Sequence, residues 1–154
     1  MVTERPPTRW LDEAEMRAWR EFIEAEGDLH HAIEADLAPT GLTLGDYQVL
    51  VYLSEAPDRR MRMTDLAERL QLSPSGLTRR LDSLVKRGFV CREGSEADRR
   101  VMLAYLTDDG WDQLTDAAPV HVESVRRRLV DLLDRDELDA LATIFAKVRA
   151  ALDS

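Results

Sequence analysis

Residues 63–107 read MTDLAERLQLSPSGLTRRLDSLVKRGFVCREGSEADRRVMLAYLT, and this stretch decides the fold. It holds two helical patterns joined by a tight link, and then two short runs enriched in Val, Leu and aromatic residues. The first helix is predicted over residues 64–70, with Thr64 placed to cap its exposed amides. The second begins with Ser73 as its cap and Pro74 at the first helical position, where no amide partner is needed. The stretch therefore predicts helix, turn, helix and hairpin.

The two short runs, residues 89–92 and 101–106, flank a polar segment and predict a β-hairpin. The tip of this hairpin carries Arg99 and Arg100 side by side, where a wing would meet the negative potential of a narrow DNA minor groove. Asp98 precedes both arginines. We expect its carboxylate to shape the loop by accepting hydrogen bonds from backbone amides or from an arginine.

The second helix of the stretch is predicted to end at Gly88, which suits a left-handed cap, and it has two faces. The inner face is apolar, and the N-terminal half of the outer face is short, polar and basic, as insertion into a DNA major groove requires. Arg79 has the reach to contact O6 and N7 of guanine. Periodicity alone favours a plain amphipathic surface helix, but the neighbouring hairpin favours the DNA-binding interpretation. The inner face comprises Leu77, Leu81, Leu84 and Val85, and the predicted DNA contacts are Ser73, Ser75, Gly76, Thr78, Arg79, Arg80, Lys86, Arg99 and Arg100.

Apolar residues at helical spacing predict four further helices, at residues 10–37, 44–56, 108–133 and 135–152. The fold class is therefore mostly α: six helices and a small β-hairpin wing in one domain of 154 residues. The order of elements over residues 44–107 is that of a winged helix-turn-helix. The last helix carries a narrow apolar seam, which suits packing against another helix of this chain or of a second copy.

The formal net charge of −9 by itself argues against a nucleic-acid partner, because phosphate contacts need Lys and Arg. The distribution of charge reverses that conclusion. Residues 59–100 carry 11 Lys and Arg against 6 Asp and Glu, and the acidic residues dominate both flanks. A basic middle between acidic flanks favours one docking orientation on DNA, although on charge alone an ordinary solvated face rich in arginine explains it equally well.

Two segments together are distinctive. Residues 98–107, DRRVMLAYLT, followed by Gly110, have the spacing of a wing that leads into a helix, and residues 63–81 form the helix-turn-helix described above. On these segments the chain resembles the MarR family of bacterial transcription regulators over nearly its whole length. Ala104 departs from the pattern because it is smaller than the aliphatic residue usual there.

The resemblance implies a homodimer joined through its N- and C-terminal helices, here residues 10–37 and 108–152, with residues 44–107 as the DNA-binding region. Two-fold symmetry implies a near-palindromic, double-stranded DNA operator. By the same resemblance, Arg100 is the wing arginine in the minor groove and Asp98 its organiser. The major-groove readers are then Ser75, Thr78 and Arg79.

The resemblance also implies a ligand-responsive repressor, with a small aromatic or phenolic effector held between the dimerisation and DNA-binding regions. Trp19, His30 and Tyr47 are the candidate effector-binding residues, although aromatic residues at helical spacing are more often simple core. The alternative function is a ligand-binding or protein-interaction module that keeps the fold without binding DNA, and the net charge is its best support.

Other classes of function lack support in the sequence. No apolar run approaches the roughly 20 residues of a membrane span, and the N-terminus lacks the apolar stretch of a signal peptide. Cys91 is the single cysteine and is expected to be a structural thiol, and the three histidines form no metal-spaced cluster. Enzyme motifs are absent. We therefore expect a cytoplasmic DNA-binding protein without cofactor, metal or enzymatic activity.

Overall fold

The computed structural model describes residues 7–98 and 100–152 of the chain. Within these residues, the structure has six α-helices and a three-stranded antiparallel sheet, which confirms the mostly helical fold class. No described helix is long and apolar enough to cross a membrane. The helices are α1 (Glu13–Leu37), α2 (Leu44–Glu55), α3 (Met63–Arg69), α4 (Pro74–Lys86), α5 (Asp108–Arg128) and α6 (Arg135–Leu152), and the strands are β1 (Arg60–Arg62), β2 (Val90–Gly94) and β3 (Met102–Leu106).

The first helix begins three residues later than the predicted residue 10, because Asp12 caps it. The carboxylate of Asp12 accepts a hydrogen bond from the Glu15 amide at 2.9 Å, and the Glu15 carboxylate accepts one from the Asp12 amide at 2.9 Å. This capping box satisfies two amides that have no partner within the helix. The same arrangement, with Asp134 and Glu137, precedes α6.

The hydrophobic core is centred on the predicted winged helix-turn-helix region, and Ile33 and Leu37 of α1 and Leu114 and Ala117 of α5 extend it. Both α2 and α4 contribute three fully buried aliphatic side chains to it, and the inner face that periodicity assigned to α4 is confirmed, with Val85 half-buried at its edge. Full burial of one such side chain stabilises the fold by roughly 1.5–3 kcal/mol. These six residues are Val49, Leu50, Leu53, Leu77, Leu81 and Leu84.

The sheet has a third strand that the sequence analysis did not predict. Strand β1 pairs with β3, so that the order across the sheet is β1, β3, β2, and both edges of β3 are covered. The side chain of Ala104, at the centre of β3, is fully buried between Met61 and Arg92 of the two neighbouring strands. The small residue that departs from the family pattern therefore lies inside the core.

The prediction that Thr64 caps α3 is wrong. Helix α3 begins at Met63, and Arg62 occupies the cap position without a capping hydrogen bond from its side chain. The hydroxyl of Thr64 instead contacts the Asp65 carboxylate at 3.2 Å. The physical reason is the unpredicted strand: Arg62 is held in register opposite Leu103, and the chain turns directly from β1 into the helix.

Helix α5 ends at Arg128 rather than at the predicted residue 133, and residues 130–132 form a separate 3-10 turn. Near this end, the Asp36 carboxylate of α1 accepts hydrogen bonds from Arg128 Nε at 2.9 Å, Ser124 Oγ at 2.6 Å and Arg127 Nη2 at 3.0 Å. The bonds from Arg128 and Ser124 hold the pKa of Asp36 well below its ordinary value. This cluster joins α1 to α5.

The terminal helices expose large apolar side chains. Phe22 of α1 and Phe145 of α6 contact each other, with ring centroids 5.4 Å apart, yet both remain partly exposed. No described residue of α6 is buried. The remaining exposed apolar residues of this surface are Trp19, Ile23, Ile144, Val148 and Leu152.

Candidate nucleic-acid interface

Helix α4 is held at its start by a short, strongly constrained turn. Gln71 adopts a left-handed conformation with φ of 53°, which folds the chain back so that the Leu72 amide donates to the Ala67 carbonyl at 2.9 Å. Ser73 then caps α4, because its hydroxyl accepts a hydrogen bond from the Gly76 amide at 3.1 Å. The predicted Ser73 cap, followed by Pro74, is confirmed, and it fixes the direction in which α4 leaves the turn.

The end of α4 is equally well defined. Gly88 has φ of 79°, the left-handed conformation expected of it, and the Phe89 amide donates to the Leu84 carbonyl at 2.9 Å. Arg87 donates from Nη1 to the Gly41 carbonyl at 2.8 Å. The basic residue beside the helix end is thus bonded to the segment before α2.

The outer face of α4 is polar and exposed. Ser75, Thr78, Arg79 and Lys86 all lie on it. The Thr78 hydroxyl donates to the Pro74 carbonyl at 3.0 Å, which leaves its methyl group and oxygen at the surface. Within the part of the chain that the structure describes, Arg79 forms no hydrogen bond or ion pair with another residue. Its guanidinium is thus available to a partner outside the chain.

Arg80 differs from Arg79, although both were predicted DNA contacts. Its Nη1 donates to Thr43 Oγ1 at 3.2 Å and lies 3.6 Å from Asp46 Oδ1, both at the start of α2. Only 36% of its side chain is exposed. A groove of about 460 Å³ opens beside it, between α2 and α4, and Gly76 contributes to the groove lining.

The wing is bonded to α4. Arg92 of β2 donates from Nη2 to the Asp82 carboxylate of α4 at 2.9 Å. This ion pair neutralises the one acidic residue on the outer part of α4, so that Asp82 presents less negative charge toward a phosphate backbone. The sequence analysis gave no role to Arg92, because a contact between side chains ten residues apart on different elements leaves no local pattern.

At the hairpin tip, the Asp98 carboxylate accepts hydrogen bonds from the Arg100 amide at 3.0 Å and from Arg100 Nε at 3.2 Å. These bonds, first the one from the amide and then the one from the guanidinium, hold the pKa of Asp98 below its ordinary value. The side chain of Arg100 is 92% exposed, and its backbone amide and Nε are held by the Asp98 carboxylate. Arg99, the other predicted wing contact, lies outside the described residues.

The three candidate effector residues lie apart from one another. Trp19 and His30 are both exposed on α1, eleven residues from each other, which corresponds to about 16 Å along the helix axis. Tyr47 is buried at the contact between α2 and α5, where its ring stacks on that of His121 with centroids 4.4 Å apart. Burial raises the pKa of Tyr47 and lowers that of His121.

Cys91 is half-buried on β2, opposite Tyr105 of β3. The Tyr105 hydroxyl also donates to the Glu93 carboxylate at 3.0 Å. Hydrogen bonding with Cys91 and then with Glu93 raises the pKa of Tyr105 to about 12. Across residues 7–98 and 100–152, no group of three His, Cys, Asp or Glu residues could hold a metal ion.

Comparison with known proteins gives consistent matches. The sequence profile of the MarR family matches residues 40–101. The crystal structure of AbsC, a MarR family transcriptional regulator from Streptomyces coelicolor, is similar with a TM-score of 0.91 and 41% identity, covering 95% of this chain and 99% of that one. Sco3205, a MarR family regulator from the same organism solved in complex with DNA, gives a TM-score of 0.92 and 35% identity, covering 97% and 94% of the two chains. The transcriptional repressor YetL of Bacillus subtilis is 26% identical over 127 residues, which are 82% of this chain and 76% of YetL.

Proposed function

This chain belongs to the MarR family of transcriptional regulators, and from that membership we propose that it is a repressor. It binds a double-stranded DNA operator in the cytoplasm, as a homodimer, and a small aromatic or phenolic molecule releases it. The observation that carries the proposal is the exposed polar face of α4 beside an exposed wing arginine, Arg100; on that face the Arg79 guanidinium has no partner among the described residues.

In this proposal α4 is the recognition helix. An α-helix fits a DNA major groove, and the residues near its N-terminus contact the edges of the bases. Ser75 and Thr78 are short and permit a close approach, while Arg79 can form two hydrogen bonds to a guanine. Ser73 and Gly76 are proposed to contribute through the helix cap: the Ser73 hydroxyl accepts the Gly76 amide and fixes the first turn of α4, and Gly76 has no side chain that would obstruct a close approach to DNA.

Arg100 is proposed to enter the adjacent minor groove. A narrow minor groove concentrates negative potential, which attracts an arginine without the need for base-specific hydrogen bonds. The Asp98 carboxylate accepts hydrogen bonds from the backbone amide and from Nε of Arg100, so that the loop is ordered before DNA binds. Lys86, exposed at the end of the recognition helix, is proposed to contact a phosphate.

A second copy of the chain is proposed to cover the apolar surface of α1 and α6. Exposed aromatic and aliphatic side chains on both terminal helices, with Phe22 and Phe145 at their contact, provide the surface that a helical interface buries. We therefore propose residues 10–37 and 108–152 as the dimerisation region and residues 44–107 as the DNA-binding region. Two-fold symmetry then requires an operator with two symmetric half-sites, which lie about 34 Å apart, one helical turn of DNA, or a multiple of that distance apart.

The effector is proposed to act near the contact between α2 and α5, because this contact lies between the two proposed regions. Tyr47 is the best placed of the three candidate residues, since its ring is already stacked on His121 there. Trp19 and His30 lie on α1, in the proposed dimerisation region.

A binding titration tests the proposal. Duplexes selected by the wild-type protein from a random-sequence library are titrated at several salt concentrations and followed by fluorescence anisotropy. We expect selection of a near-palindrome and an affinity that falls steeply with salt, because bound arginines release counterions from the phosphates. An affinity that does not change with salt, or no preference over random duplex, would refute DNA binding. A ligand whose affinity is unchanged by operator DNA would instead support a binding module that does not use DNA.

A further inference from the structure

We propose that Arg80 is a positioning residue, which holds the recognition helix at a fixed rotation on the start of α2, and does not itself contact DNA. The inference rests on the proposed DNA-binding function and concerns how sequence preference arises. It departs from the sequence analysis, in which Arg80 was grouped with the DNA contacts.

The first support is the set of partners that Arg80 already has. Its Nη1 donates to Thr43 Oγ1 and faces Oδ1 of Asp46. The side chain of Asp46 is only 9% exposed, and its other oxygen, Oδ2, accepts a hydrogen bond from the Thr43 amide at 3.2 Å. A buried carboxylate needs a compensating cation, and removal of that cation leaves an uncompensated charge. Arg80 supplies this cation.

The second support is a glycine at the point of contact. A Cβ atom at Gly45 would lie 2.5 Å from Cζ of Arg80 and 2.7 Å and 2.8 Å from its two terminal nitrogens. The guanidinium therefore lies directly against the backbone of α2, in the space that the side chain of any residue other than glycine at position 45 would occupy. Glycine is unfavourable within a helix, so the space occupied by Arg80 gives a physical reason for Gly45.

The consequence concerns Arg79. Successive residues of a helix differ in direction by about 100°, so a fixed Arg80 also fixes the direction of its neighbour. The apolar contacts of Leu77, Leu81 and Leu84 hold α4 against the core, but hydrophobic contacts are not directional. The bonds of Arg80 are directional, and they define the rotation at which Arg79 projects outward.

The experiment measures two quantities for each variant: the dependence of affinity on salt, and the ratio of affinities for the selected duplex and a random duplex. The variants are Arg80→Ala, Gly45→Ala and the double variant. For both single variants we expect a fall in this ratio of about tenfold, roughly the value of one base contact. The slope of log affinity against log salt remains that of wild type, because no phosphate contact is lost.

Gly45→Ala is the informative variant, because it keeps the positive charge and displaces the guanidinium. If Gly45 acts only through Arg80, the alanine has no further effect on the ratio in the Arg80→Ala background. Circular dichroism and thermal melting establish that each variant is folded, and Gly45→Ala provides the same test if Arg80→Ala does not fold.

Two results would overturn the inference. A salt slope smaller by about 0.9 in Arg80→Ala, with the affinity ratio unchanged, is the signature of a direct phosphate contact. Equal losses from Gly45→Ala in the presence and absence of Arg80 would show that the glycine acts independently. Failure of the proposed function is distinct from both, because the wild-type protein would then select no sequence and show no salt dependence.

Discussion

Substitution of Gly110 by alanine tests how closely α5 is packed against the rest of the fold. Gly110 is buried in the first turn of α5, and an added Cβ would overlap the carbonyl oxygen of Phe89 and lie 2.7 Å from Cδ1 of Leu106. The same Phe89 carbonyl accepts a hydrogen bond from the Thr107 amide at 3.1 Å. The backbone at Phe89 therefore cannot move away without weakening the start of α5.

The expected cost follows from three contributions. Overpacking against backbone costs about 1–3 kcal/mol. Weakening of the hydrogen bond to the Phe89 carbonyl adds about 0.5–1.5 kcal/mol. The better helix propensity of alanine returns about 1 kcal/mol. The free energy of unfolding should thus fall by about 0.5–3.5 kcal/mol, which lowers the urea midpoint by about 0.3–1.8 M for a slope near 2 kcal/mol/M.

Urea unfolding followed by circular dichroism measures this change, with all variants at one protein concentration because the proposed dimer would make stability depend on concentration. Gly27→Ala is the matched control. Gly27 lies within α1, where an added Cβ has no neighbour within 4 Å among the described residues of its own chain, so this substitution should raise the free energy of unfolding by up to about 1 kcal/mol. The changes in the free energy of unfolding should therefore have opposite signs in the two variants. A Gly110→Ala protein as stable as wild type would refute the packing argument.

Three further predictions concern charge and DNA contact. Asp36→Asn should lower the urea midpoint at pH 7, and the difference from wild type should shrink below about pH 4, because the lowered pKa of Asp36 stabilises the fold only while the carboxylate is ionised. His121→Phe keeps a ring against Tyr47 and removes the group that titrates. Because burial lowers the His121 pKa, the unfolded chain binds a proton more readily than the folded one as pH falls below about 6.5, so the free energy of unfolding should fall there for wild type and not for the variant. Arg79→Ala should cost about 1–3 kcal/mol of operator binding and relax sequence preference, whereas Arg100→Ala should weaken binding with less loss of preference.

Each of these predictions has a contrary result. An Asp36→Asn protein whose deficit does not shrink at all between pH 5 and pH 2 would indicate a packing defect instead of a lost ionic contact. Parallel pH profiles for wild type and His121→Phe between pH 7.5 and 5.5 would contradict the assignment to His121. Operator affinity of Arg100→Ala equal to that of wild type would exclude the wing contact.

The sequence predicted the elements whose signals are local. The cap of α4 by Ser73 and Pro74 and the left-handed end at Gly88 depend on residues close in the chain, and both are present. Strand β1 was missed because Arg60–Arg62 has the composition of an exposed loop and becomes a strand only by pairing with β3. The incorrect cap at Thr64 follows from that omission.

The candidate site was predicted as a set of exposed residues, and its internal bonds were not. Arg79 and Arg80 are adjacent and chemically identical. Among the described residues Arg79 has no bonded partner, whereas Arg80 is bonded to the start of α2, at residues 34 and 37 positions earlier in the chain. The Asp36 cluster was missed for the same reason, because its partners lie about 90 residues away. Rules that use only neighbouring residues cannot predict contacts between residues so far apart in the sequence.

The ion pair between Arg92 and Asp82 bears on how the protein could dissociate from DNA. Together with the short link through Gly88, it connects the wing to α4 at two points, which restricts movement of the wing relative to α4. A small effector, if it acts as proposed, therefore gains little by bending the wing of one copy. If two copies bind together, as proposed, the effector must alter the distance between the α4 and wing of one copy and those of the other. A shift that leaves each copy able to bind alone then prevents both from binding one duplex at the same time.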